Sequence, residues 1–334
     1  MTKTAFFDTK PYDRIYFDRH KESFGVEIEY FESRLNPHTA VMARGYEAAV
    51  AFVSDTVDSL TVSRLRQSGV RLLALRCAGY NNVDIAAAAK EGLTVVRVPE
   101  YSAHAIAEHT MALLLTLVRK THKAYNRTRE YNFSLNGFTG FDLHGKTVGV
   151  IGTGRIGAAF IDICRGFGMN ICAYDPNPTL GFVDYVELDE LFGRADIVSL
   201  HCPLNSATHH IIDAHALSLM KNGVYIINTS RGALIDSDAL VSAIRSGKIG
   251  GAGLDVYEEE SDFFYEDYSA EVIRDARLST LISMPNVLVT SHQAFLTKEA
   301  LENIALTTLE NISRHFSGKD DINSISAEKK FVIN

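Results

Sequence analysis

Residues Val148–Gly157 read VGVIGTGRIG, and this stretch decides how the rest of the chain is read. An apolar strand carrying Val148, Val150 and Ile151 runs into Gly152, Gly154 and Gly157 in G-x-G-x-x-G spacing. The first glycine permits a tight turn, the second lets the backbone approach a pyrophosphate, and the third lets the next helix pack on the sheet. A helix over Arg155–Arg165, stopped at RGFG, then points its unpaired N–H groups at the phosphates. The following strand, MNICAYD, ends at Asp175, 23 residues past Gly152. A carboxylate there accepts both ribose hydroxyls and repels a 2′-phosphate, which predicts NAD in preference to NADP. The competing reading is an aspartate that only starts the DPNP turn.

The fingerprint lies near the middle of 334 residues. That length exceeds the size at which one core usually stops growing, so a dinucleotide domain beginning this late needs a partner domain and implies a cleft. Upstream, TAFFDT, VEIEYFE, AAVAFVS, VRLLALRC and GLTVVRV alternate with helix-length segments such as Asp58–Gly69. The pattern predicts a small α/β domain of about five parallel strands. From Ser102, SAHAIAEHTMALLLTLVRKTHKAYNRTR predicts one long helix, apolar enough to pack between domains. A return helix is expected over Lys298–His315, followed by a polar surface tail, FSGKDDINSISAEKKFVIN. The expected division is 1–100 for the first part of a substrate domain, 101–299 for the dinucleotide domain, and 300–334 for the return helix and tail.

With 46% hydrophobic and 22% charged residues, the composition is that of a globular protein rather than a disordered one. A net charge of −8 disfavours nucleic acid and anionic membrane as partners, and it means that a small anionic ligand must be caught by a local cation. MTKTAFFDTKPYDRIYFD has no apolar leader, and Met111–Val118 is too short to span a bilayer, so a cytoplasmic location is expected. Cys77, Cys164, Cys172 and Cys202 show neither a disulfide framework nor a CxxC pair, which suits a reducing compartment.

In an open parallel sheet, ligands collect beyond the carboxyl ends of the strands. There, ADIVSL precedes His201, GVYIINTS precedes Arg231, IGGAGLDV precedes an acidic run, and PNVLVTS precedes His292. Arg231 can grip a planar carboxylate with two parallel hydrogen bonds. His292 can exchange a proton near neutral pH if a carboxylate holds its tautomer. Glu258, Glu259 and Glu260 all qualify as that acid, and Asp255, ending its strand, can reach a nicotinamide riboside. Each residue has a plainer reading, as turn arginine, solvated acidic face or structural histidine, but their coincidence after neighbouring strands favours chemistry. His201, His209–His210 and His104 with His109 lack HExxH or paired CxxC logic, so no metal is expected. No G-x-S-x-G elbow supports a serine nucleophile.

Taken in order, ALRCAGYNNVD, VPEYSAHAIAEH, VGVIGTGRIG, LHCPL, MKNGVYIINTSRGALID, GLDVYEEE, HQAFLTKEAL and the insert SDFFYEDYS over Ser261–Ser269 resemble the NAD-dependent D-2-hydroxyacid dehydrogenases over essentially the full chain. The match is greatest to their fermentative D-lactate branch. The resemblance implies two open parallel-sheet α/β domains, Rossmann-like and flavodoxin-like, separated by a cleft, and a homodimer or higher homo-oligomer. It implies that Arg231 binds substrate, Glu260 supports the histidine and His292 transfers the proton. It further implies that Gly152, Gly154, Arg155, Ile156, Gly157, Asp175, Cys202, Pro203, Thr208, Thr229, Ser230 and Asp255 surround NAD. Cys77, Ala78 and Gly79 would offer backbone N–H groups to a 2-keto acid or 2-hydroxy acid, with Tyr101 and Phe295 closing over its side chain. The implied reaction is reversible reduction of pyruvate by NADH to D-lactate. Bulkier 2-keto acids, or a non-catalytic NAD sensor of the same fold, are the alternatives.

Overall fold

The computed structural model describes residues 1–260 and 263–325. They form two compact units, one of Met1–Ser102 with the chain from Leu296 onward, the other of Ala103–Phe295. In the first unit the order is β1 (Thr2–Phe6), α1 (Pro11–His20), β2 (Val26–Tyr30), β3 (Ala48–Ala51), α2 (Ser59–Gln67), β4 (Leu72–Leu75), α3 (Ile85–Glu91) and β5 (Thr94–Val96). These strands make one parallel sheet, ordered β2-β1-β3-β4-β5. Every residue of β3 and β4 is buried, as expected of parallel strands covered on both faces. Asp58 begins α2 by accepting the Thr61 N–H at 2.8 Å, a cap worth about 1 kcal/mol.

Beyond the carboxyl ends of β1, β3 and β4 lies a buried ionic network. Arg76, 1% exposed, donates to the Asp8 carbonyl at 2.6 Å and lies 3.4 Å from the Asp13 carboxylate. Its guanidinium also stacks 3.9 Å from the Phe52 ring. Asp55 accepts the Leu35 and Phe52 N–H groups, each at 2.6 Å. Burial nevertheless pushes its carboxyl up to about 7.

The second unit contains α4 (Ala103–Arg119), α5 (Thr121–Arg129), β6 (Thr147–Ile151), α6 (Arg155–Gly166), β7 (Asn170–Tyr174), β8 (Asp184–Tyr185), α7 (Leu188–Arg194), β9 (Ile197–Leu200), α8 (Ala214–Leu219), β10 (Val224–Asn228), α9 (Ser237–Arg245), β11 (Ile249–Leu254), α10 (Ala276–Ser283) and β12 (Val287–Val289). Its sheet is parallel throughout, ordered β12-β11-β10-β9-β6-β7-β8. The order reverses between β6 and β9, so the fingerprint turn lies at the switch point where such sheets bind dinucleotides. One core joins α4 and α6 to the sheet through Met111, Leu114, Leu117, Phe160 and Cys164. A second gathers Leu191, Leu217, Leu240, Val241 and Leu278 from α7, α8, α9 and α10. The five-stranded parallel sheet expected from the alternating pattern and the two open parallel sheets implied by the resemblance are present.

Two local expectations are corrected. The single helix predicted from Ser102 is broken at Lys120, which adopts φ 52° and ψ 33° and separates α4 from α5. The apolar stripe ends at Val118 and no residue of α5 is buried, so packing does not hold the helix straight. The Lys120 ammonium instead donates to the Gly137 and Thr139 carbonyls at 2.8 and 3.1 Å. The polar tail is also more than surface cover. After α11 (Lys298–Phe316), Ser324 bridges Val96 antiparallel and the Ile325 N–H donates to the Val95 carbonyl at 2.9 Å, covering the exposed edge of β5. Residues 326–334 of the tail lie outside the described residues.

Candidate active site

The fingerprint glycines divide the work of the turn between them. Gly152 adopts φ +92°, and a Cβ there would lie 2.6 Å from the Cys202 nitrogen. A Cβ on Gly157 would lie 2.0 Å from the Gly152 carbonyl oxygen, which is how closely α6 approaches the turn. Nothing lies within 4 Å of a Cβ on Gly154, the residue that caps α6. The exposed glycine, with the N–H groups of Arg155, Ile156 and Gly157 on the first turn of α6, suits an approaching pyrophosphate. Asp175 follows β7, and its Oδ2 accepts the Thr153 N–H at 2.7 Å while its Oδ1 accepts the Asn177 N–H at 2.8 Å. It therefore starts the turn and also ties it to the fingerprint; the half-buried carboxylate keeps lone pairs for a ribose. These features fit NAD.

Around this turn stand the other residues implied to contact the cofactor. Cys202, after β9, is buried, and burial pushes its thiol up to about 12, as befits a wall rather than a nucleophile. The Ser230 hydroxyl donates to the Cys202 carbonyl at 2.7 Å, joining the loops after β9 and β10. The Thr208 hydroxyl donates to the Pro203 carbonyl at 2.6 Å and closes the intervening loop. Thr229 shares a 2.8 Å hydrogen bond with Thr110 of α4, a partner that chain order did not suggest. Among the histidines, His201 is packed beneath the turn, where burial pushes its imidazole down to about 3 and keeps it neutral.

The acidic run after β11 is not a solvated face, because its three glutamates go to three partners. Glu258 receives His210 at 2.7 Å, Glu259 pairs with Arg277, and Glu260 meets His292, its Oε1 lying 2.7 Å from Nδ1. The Tyr257 N–H donates to Glu260 Oε2 at 2.9 Å and aims that carboxylate. The acceptor at Nδ1 places a proton there and leaves Nε2 to exchange one. His292 is 14% exposed and Glu260 20%, so the pair is sheltered yet reachable.

Asp255 anchors the histidine from behind. It is fully buried, and its carboxylate accepts the Thr290 hydroxyl at 2.6 Å and the Gln293 and Ala294 N–H groups at 2.9 Å each. Burial opposes its charge, but hydrogen bonds from His109, Thr290 and Gln293 outweigh that and hold the carboxyl below its ordinary value. The Asp255 carbonyl also accepts the His292 N–H at 2.7 Å, and His292 is held at φ 52°, a strained conformation for a side-chain-bearing residue. His109, weighed in the sequence only as a metal ligand, lies 3.3 Å from Asp255, a contact the sequence did not suggest because nothing local connects α4 to the end of β11. The insert contributes as well. Tyr265 donates to the His292 carbonyl at 3.3 Å and Phe264 is buried, whereas Ser261 and Asp262 lie outside the described residues.

Arg231 follows β10 in extended conformation, half-buried, and donates to the Ser230 carbonyl at 2.6 Å. Gly232 sets its distance from the acidic run, because a Cβ there would lie 2.0 Å from the Tyr257 carbonyl carbon. The loops carrying Arg231 and Glu260 are thus pressed backbone to backbone. Phe295 is buried three residues beyond His292. Cys77, Ala78, Gly79 and Tyr101 belong to the first unit: the first three follow β4, with the Arg97 guanidinium donating to the Ala78 carbonyl at 2.8 Å, and Asn303 donates to the Tyr101 carbonyl at 2.8 Å.

Comparison with known proteins adds an independent line. Residues 111–294 match the family described as D-isomer specific 2-hydroxyacid dehydrogenase, NAD binding domain. The chain is 50% identical over 322 residues to a D-lactate dehydrogenase of Escherichia coli, covering 95% of this chain and 98% of that one. Among solved structures, it is similar to the apo-structure of D-lactate dehydrogenase from Escherichia coli, with TM-score 0.89 and 47% identity over 97% of this chain and all of that one. It is also similar to a pyruvate reductase of Chlamydomonas reinhardtii, with TM-score 0.91 and 42% identity over 97% and 98% of the two chains.

Proposed function

The chain belongs to the D-isomer specific 2-hydroxyacid dehydrogenases, which are NAD-dependent oxidoreductases, and we propose that it interconverts pyruvate and D-lactate with Arg231, Glu260 and His292 as its catalytic residues. The observation that carries this reading is the 2.7 Å pair between His292 Nδ1 and Glu260, the one histidine–carboxylate pair standing after β12 and β11 together. NADH held by the fingerprint turn and Asp175 would supply the hydride that the keto carbon accepts. Negative charge then grows on the keto oxygen, and His292, protonated for the reductive direction, gives up the Nε2 proton to it. Glu260 stabilises the imidazolium and fixes its orientation through Nδ1. Arg231 binds the substrate carboxylate and lowers the cost of the developing oxyanion. In oxidation the same groups act in reverse, and neutral His292 takes the hydroxyl proton.

Asp175 is assigned to the adenosine ribose, with the fingerprint turn, Cys202, Pro203, Thr208, Thr229, Ser230 and Asp255 lining the cofactor. The substrate-side roles of Cys77, Ala78, Gly79, Tyr101 and Phe295 are part of the same proposal. A second copy of the chain is the proposed partner, supported by the exposed side chains of Tyr125, Tyr131, Phe133 and Leu135, with a dimer mass expected in sedimentation. Among the described residues no helix is long and apolar enough to cross a membrane. A cytoplasmic setting is proposed from cysteine spacing, since the four cysteines show neither a disulfide framework nor a CxxC pair in the sequence.

Steady-state NADH oxidation with pyruvate, 2-ketobutyrate, 2-ketoisocaproate and phenylpyruvate tests the substrate. Pyruvate should give the highest kcat/KM. A preference for 2-ketoisocaproate or phenylpyruvate would replace it with a bulkier acid.

A further inference from the structure

His209 and His210 follow the loop closed by Thr208, and Glu258 opens the acidic run 48 residues beyond His210. Successive side chains of an extended strand point to opposite sides. Here His210 adopts φ 52°, and the two imidazoles stack with centroids 3.9 Å apart and planes 27° apart. One ligand atom from each histidine and one Glu258 oxygen all lie within 4.8 Å of one another. His210 Nε2 already approaches Glu258 Oε1 at 2.7 Å, and the Ser237 hydroxyl donates to the other carboxylate oxygen at 3.1 Å. His209 is exposed while the other two are half-buried, which leaves a route for an ion.

We propose that His209, His210 and Glu258 form a binding site for a zinc-class divalent cation, separate from the His292–Glu260 pair. Two imidazole nitrogens and one carboxylate oxygen suit a borderline-soft ion, whereas calcium and magnesium favour oxygen alone. Ligand atoms of a tetrahedral zinc lie roughly 3.4 Å apart for bonds of about 2.1 Å, so modest side-chain rotation gathers the three around an ion. The ion takes the place of the proton between His210 Nε2 and Glu258, and that proton passes to Nδ1 or to solvent. Water fills the fourth position. Ser237 holds the carboxylate as outer partners of metal ligands do. Local zinc motifs such as HExxH or paired CxxC do not describe this site, because its third donor is remote in the chain.

The test uses the full-length chain after chelation and desalting, titrated with Zn²⁺ by calorimetry and with Co²⁺ by visible absorption. One Zn²⁺ per chain and Co²⁺ bands of nitrogen–oxygen coordination are expected. His209→Ala, at an exposed position that leaves the fold intact by circular dichroism, should weaken Zn²⁺ at least tenfold and abolish the Co²⁺ bands. Ser237→Ala should weaken Zn²⁺ about tenfold through the outer contact. No stoichiometric binding by the unaltered chain, or equal Zn²⁺ affinity in His209→Ala, would overturn the proposal. Both readouts are of binding, so neither depends on the assigned reaction.

Discussion

At the residue scale, the chemistry proposed for the site depends on which carboxylate reaches which imidazole. Glu260 holds His292 at Nδ1, and Tyr257 aims Glu260, so proton exchange is confined to Nε2. Replacing His292 with alanine removes the proton donor and should lower kcat by about 10³-fold while NADH affinity stays within roughly threefold. Glu260→Gln keeps the shape of the contact but not its charge, and should cost less, about 10²-fold. Both numbers come from rapid-mixing turnover set beside NADH fluorescence titration. Turnover unchanged in His292→Ala would remove that residue from the mechanism. Residue order alone left Glu258, Glu259 and Glu260 equivalent, because it says only that all three follow β11, and only the family resemblance pointed to Glu260. What separates them is the direction of each side chain from a tight turn, set by the remote partners His210, Arg277 and His292.

At the scale of elements, the loop after β10 is positioned by contact rather than by its own conformation. Gly232 lies where any Cβ would strike the backbone at Tyr257 and Glu258, at 2.0 to 2.3 Å. Gly232→Ala must therefore push Arg231 and Glu260 apart, with an overpacking cost of about 1–3 kcal/mol. Thermal melts and pyruvate turnover should show a lowered Tm and more than tenfold lost activity. Gly166→Ala, on α6 with nothing within 4 Å, is the control and should leave both unchanged or raise Tm slightly. The strand–turn–helix around Gly152 was legible in the sequence because all its determinants are local. The break between α4 and α5 was not, since Lys120 is a good helix former and only its bonds to Gly137 and Thr139 reveal the turn. Two-residue β8 was likewise too short to leave a pattern. The contacts of His109 with Asp255 and of Thr110 with Thr229 were hidden for another reason: α4 reads as a packing helix, and two of its polar residues face the sheet ends.

For the whole molecule, the two units should respond oppositely to acid. In the first, burial raises Asp55 to about 7, above its unfolded value near 4. Its contribution is fully present below about pH 4 and lost as pH rises through 7. In the second, burial lowers His201 to about 3, below the ordinary value near 6.5. That contribution is present above about pH 6.5 and is lost as pH falls toward 3. Between pH 6.5 and 4, hydrogen exchange corrected for intrinsic rates should show protection rising in β3 and falling in β9. Parallel changes in both strands would contradict these assignments. The measurement closest to the central claim remains the product itself. With pyruvate and NADH, the chain should form lactate equal to the NADH consumed, all of it the D enantiomer by chiral chromatography. L-lactate, a racemate, or NADH consumption without lactate would contradict the account.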